Sequence, residues 1–81
     1  LIKFADGLKL EAIIYSDESQ VKVGATAGSP LVIESIVVSM QNGQMADVPW
    51  AEITYSNGTT YLDNLSCLGV ASVKILKEPG E

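Results

Sequence analysis

Short runs of alternating apolar and polar residues, broken by turn formers, dominate this chain. β-branched and aromatic residues recur between DG, SDES, AGSP and two NG dipeptides. No window holds a clean 3.6-residue period for more than two helical turns. The pattern predicts seven strands: Leu1 to Phe4, Leu8 to Tyr15, Gln20 to Ala25, Leu31 to Met40, Val48 to Ser56, Thr59 to Asp63 and Val70 to Leu76. No internal repeat stands out beyond this shared hairpin grammar.

Two hairpins are specified to the level of register. In FADGL a two-residue loop would put Ile2 and Phe4 on the face of Lys9 and Glu11. A three-residue loop, Ala5-Asp6-Gly7, pairs Phe4 with Leu8 and aligns Ile2, Phe4, Leu8, Leu10, Ala12 and Ile14. In TYSNGTTYL the same test favours a two-residue Asn57-Gly58 loop, with Ile53 opposite Leu62. One face then carries Ala51, Ile53, Tyr55, Thr60 and Leu62; the other carries Trp50, Glu52, Thr54, Thr59, Tyr61 and Asp63.

Leu31 to Met40 is apolar on both faces. Val32, Ile36, Val38 and Met40 share one, and Leu31, Ile33 and Val37 share the other. Such a strand is covered twice or extends into an interface. LSCLG lacks alternation and reads as one helical turn near residues 63–69, capped by Asp63 or Asn64. The expected fold is all-β: a small antiparallel barrel or sandwich of five to seven short strands with that one helical turn. Residues 1–76 form the single domain, and 77–81 a flexible tail with Pro79 and Gly80.

Composition narrows the function classes. Apolar residues are 47% of the 81 and charged residues 19%, so the chain can afford a core. Mean hydropathy is +0.25, yet no run approaches the roughly 18 apolar residues of a membrane helix. That excess points to surfaces buried between subunits or against a partner. Ten acids stand against five lysines, with neither arginine nor histidine, for a net charge of −5. Nucleic acid and anionic membranes are therefore disfavoured partners. Cys67 is the only cysteine, so no internal disulfide forms and a reducing, cytoplasmic setting is expected. The composition suits a phage or bacterial accessory protein.

Candidate chemistry is sparse. Histidine-dependent triads are impossible within the chain, and Cys67 between leucines reads as a small buried hydrophobe. GATAGSP lacks the lysine and the following helix of a phosphate loop. Glu52 and Asp63 come out as an opposed acidic pair, fit for a hard cation or acid–base work, but more simply a solvated face. Asp17 and Glu18 are ordinary turn composition. The sequons at Asn57 and Asn64 are accounted for by the hairpin turn and the cap. No metal or cofactor is expected.

Trp50, Thr54 and Tyr61 form the most suggestive group, because Trp and Tyr are enriched at interfaces. Trp50 either anchors a core beneath a central hairpin or faces a partner. The expected function is a non-enzymatic interaction and assembly module acting as a homo-oligomer. Its candidate surface is Trp50, Thr54, Tyr61, Val32, Ile36, Val38 and Met40, and its partners are itself and another protein. The alternative is a β domain that sequesters a small molecule by stacking on Tyr15, Trp50, Tyr55 and Tyr61.

Overall fold

The computed structural model describes residues 4–26 and 30–77. Most of the expected first strand and most of the tail lie outside the described residues. Six strands follow: β1 (Lys9–Tyr15), β2 (Gln20–Lys22), β3 (Ile33–Asn42), β4 (Asp47–Tyr55), β5 (Thr60–Asn64) and β6 (Val70–Ile75). All pair antiparallel in one sheet that curls into a half-barrel. Among the described residues there is no helix. The helical turn expected near residues 63–69 is instead a tight turn after β5, and Asp63 and Asn64 belong to the strand. The Asn64 side chain accepts the Ser66 amide at 2.8 Å and so closes that turn without a helical backbone.

β1 organises the sheet. One of its edges takes β6; the other takes β3 at Lys9 and Leu10, then β2 from Ala12 to Ile14. β3 continues through β4 to β5, so β6 and β5 close the two ends of the sheet, and the three-residue β2, paired only with β1, is a further short edge. The Ala5–Leu8 turn has Gly7 at φ 86, the left-handed region glycine enters without penalty. Its bonding differs from the expected hairpin. The Gly7 amide donates to Val38 of β3, not to Phe4, while Leu8 donates to Ala5. The turn therefore feeds β1 against β3.

Three bulges explain why simple alternation misplaces part of the core. Opposite β4, Ile33 pairs with Tyr55 and Ser35 with Thr54, leaving Glu34 as an extra residue. Ile33 and Ile36, three apart, thus both point inward, and Val32 leaves the face of Ile36 and Val38. Opposite β6, Glu11 is extra in β1, so Leu10 and Ile13 are the inward pair and Ile14 is not. Ala71 is extra in β6, which turns both Val70 and Val73 to the core. Each bulge adds bend and twist, and together they curl the sheet around its own apolar face.

That face holds Leu10, Ile13, Ile33, Ile36, Val38, Ala51, Ile53 and Leu65. Burying each large aliphatic side chain contributes about 1.5–3 kcal/mol relative to exposure. Ile36 and Val38 are 1% exposed, so they are core residues and not part of an interface surface. Their partners across the ladder are Ile53 and Ala51. Leu65, from the turn after β5, joins this core.

Candidate functional site

The β4–β5 hairpin decides where the candidate residues go. The Tyr55 amide donates to Thr59 at 2.8 Å, Gly58 donates to Tyr55 at 2.9 Å, and Gly58 has φ 86. This is a three-residue loop, Ser56-Asn57-Gly58, with the glycine in the bulge position. The two-residue loop expected from face sorting is not formed. Ile53 faces Tyr61, Glu52 faces Leu62, and Ala51 faces Asp63.

The one-residue slip reassigns every side chain of β5. Trp50 stays on the outer face, between Ser39 of β3 and Asn64 of β5, where it is half-buried. Thr54 shares that face, and its hydroxyl lies 3.3 Å from that of Thr60. Tyr61 does not. It turns to the inner face and meets Tyr55 edge-on, with ring centroids 5.3 Å apart. Glu52 and Asp63 sit on opposite faces, so the expected acidic pair does not exist. Of the other candidates, Met40 packs against the rim of the core and Val32 is half-buried beside Thr26. Leu62, Ile75 and Leu76, which the sequence pattern does not single out, are also exposed large apolar residues.

Pro49 fits inside β4 because its missing N–H points along the β5 edge, where β5 is already ending. Its carbonyl still accepts the Leu65 amide at 3.0 Å.

Inside the half-barrel the Tyr15 hydroxyl donates to the Asp63 carboxylate. This tie joins the end of β1 to β5 across the concave side. Burial of Tyr15, then the hydrogen bond and charge of Asp63, push the phenol well above its ordinary range. The proton is therefore held, and the tie persists at neutral pH. Tyr15→Phe is expected to cost about 1–2 kcal/mol at neutral pH, since a partly buried carboxylate loses its donor. A phenol whose folded pKa lies above the unfolded value of about 10 stabilises the fold fully below that pH. The contribution is lost as pH rises through the folded value. Melting temperatures should fall in parallel up to about pH 10 and more steeply for the wild type than for Tyr15→Phe above it; parallel curves throughout would contradict the tie.

Cys67 is exposed in the turn after β5, not buried as expected. Lys74 pairs with Glu11 at 3.6 Å on the surface, a contact of small energetic weight. No cluster of three metal-ligating side chains occurs among the described residues. A groove of about 230 Å³ lies over Lys9, Val23, Glu34, Val37 and Leu76. It contains none of the four aromatic residues expected to stack on a ligand. A second, open depression touches Tyr15 together with Ser16, Asp17, Ser19 and Gly69.

The most distinctive surface is the rim of the sheet. Tyr61 is 59% exposed, Leu62 57%, Ile75 53% and Leu76 37%. Two belong to β5 and two to β6 or the residue after it. Among the described residues, no strand pairs with the outer edge of either. The bonds at Tyr55–Thr59 and Pro49–Leu65 fix the alternation along β5. Thr59, Tyr61, Asp63 and Leu65 bond toward β4, and Thr60, Leu62 and Asn64 direct their backbone groups outward. No family model, curated protein or solved structure matches this chain.

Proposed function

We propose that this chain is a non-enzymatic assembly module that works as a homo-oligomer, joining copies through the strand edges at the rim of its half-barrel. One observation carries the reading: four of the six exposed large apolar residues among those described lie on the end strands β5 and β6 or directly after β6. Natural sheets usually guard an open edge with lysine, proline or a very short strand. β5 has neither lysine nor proline and presents Tyr61 and Leu62 on its two faces. Such an edge supplies backbone hydrogen bonds and apolar contact together, which is the basis of association by strand addition.

The net charge of −5 favours solubility and weak, reversible association over precipitation. Light scattering between about 1 µM and 1 mM should show the mass rising from that of one 8.6 kDa chain to a small integer multiple. A single-chain mass at every concentration would contradict the proposal.

A further inference from the structure

Resting on that reading, we infer that the partner of β5 is β5 of a second copy, paired antiparallel about a two-fold axis through Leu62. An antiparallel pair of identical strands is self-complementary, as a closed two-fold dimer requires. The outward backbone groups of Thr60, Leu62 and Asn64 lie on alternate residues of one edge. Only an axis at Leu62 uses all three from both copies in a five-residue strand. That register sets Leu62 against its counterpart, Thr60 against Asn64 of the other copy, and Tyr61 against Asp63.

Charge placement supports the same register. Asp63 is the only charged residue in β5. An axis at Asp63 would oppose two carboxylates directly, which is destabilising. The axis at Leu62 places each carboxylate beside a tyrosine instead. Each carboxylate also keeps the Tyr15 hydroxyl as an internal donor, which reduces the cost of covering it. β6 is the weaker candidate for self-pairing, because it carries Lys74, a common guard of strand edges.

Pairing extends the sheet through both copies and shields Leu62 on the outer face and Tyr61 on the inner one. A five-residue strand is about 17 Å long. A pairing of two five-residue strands is small beside the roughly 800 Å² per partner of a standard stable interface, so a weak, concentration-dependent dimer is expected.

Two variants of the full chain test the register. Leu62→Lys opposes two ammonium groups at the axis and should weaken self-association on the order of 10-fold or more. Its melting temperature should hold, because residue 62 is more than half exposed. Leu62→Cys in a Cys67→Ser background should oxidise to a covalent dimer, since facing Cα atoms about 5.5 Å apart are within disulfide reach. Thr60→Cys in that background faces Asn64 of the other copy and should cross-link far more slowly.

Rapid, selective cross-linking of Leu62→Cys with loss of dimer in Leu62→Lys supports the inference. If the wild type associates but Leu62→Lys associates equally and the two cysteine variants cross-link alike, the β5 register is overturned and the assembly reading survives. Should Leu62→Lys fail to fold, the cysteine comparison decides alone. A wild type that stays monomeric at all concentrations overturns both.

Discussion

Ile13→Ala is expected to destabilise the protein by about 3–4 kcal/mol, and Ile14→Ala by only about 1 kcal/mol. The two residues are neighbours of identical type, so only their direction separates them. Ile13 is fully buried among the core residues, whereas Ile14 is partly exposed between Gln20 and Ser72. The difference comes from Glu11, the extra residue that resets the parity of β1. An 81-residue fold has roughly 4–12 kcal/mol of stability in total. The Ile13 variant should therefore lose on the order of 15–25 °C of Tm, read by thermal or urea unfolding. Equal costs, or a larger cost at Ile14, would contradict the bulge.

Gly43→Ala should cost about 2 kcal/mol for a different reason. Gly43 opens the loop between β3 and β4, and its amide donates to Ala46 at 3.1 Å. A methyl group there would stand 2.4 Å from the Ala46 carbonyl oxygen and 3.1 Å from a methyl of Val48. The oxygen belongs to the backbone, so relief requires opening the loop and losing its hydrogen bond. Gly58 provides the contrast. An added methyl meets nothing within 4 Å, but φ is 86, so Gly58→Ala pays only the left-handed backbone penalty of about 1–2 kcal/mol. Urea unfolding of both variants checks the pair. A cost below about 0.5 kcal/mol at Gly43 would show that the loop yields.

The strands were largely legible because five of them alternate well enough to be delimited within two residues by Gly, Asn, Asp and Ser. The faces were not, because a bulge adds one residue without any compositional mark. Glu11, Glu34 and Ala71 look like ordinary strand positions. Apolar residues on both sides of Leu31 to Met40 suggested a strand covered twice. Glu34 accounts for Ile33 by shifting it to the side of Ile36, with no second cover required.

The hairpin register failed for a related reason. Sorting apolar from polar faces works where both strands are buried, and β5 is an outer strand whose side chains are mostly exposed. A better signal lay in the turn itself. Tyr15-Ser-Asp-Glu-Ser19 and Tyr55-Ser-Asn-Gly-Thr59 share one arrangement. In each, the tyrosine amide donates to the residue four positions on. An Asp17 or Asn57 oxygen accepts that residue's amide, and the fourth residue is left-handed. Glu18 adopts φ 73 without being glycine, so the preference belongs to the Ser-Asx turn as a whole. Asp17, held below its ordinary range first by the Ser19 hydroxyl and then by its amide, shows how strongly that oxygen is engaged.

The candidate surface was half legible. Tyr61 emerged in both readings, but with Trp50 as its neighbour in one and Tyr55 in the other. Trp50 stands on the outer face beside Ser39 and Asn64, while the exposed apolar rim runs through Tyr61 and Leu62. Exposure at a sheet edge depends on which strand is last, and local pattern does not encode strand order.

Amide hydrogen exchange along β5 at high and low protein concentration tests the use of this edge most directly. The Tyr61 and Asp63 amides bond to β4 and should remain protected at both concentrations. The Thr60, Leu62 and Asn64 amides should be protected at high concentration and exchange like open amides on dilution. Rapid exchange of those three at every concentration, while the mass still rises, would contradict the edge as the site of assembly.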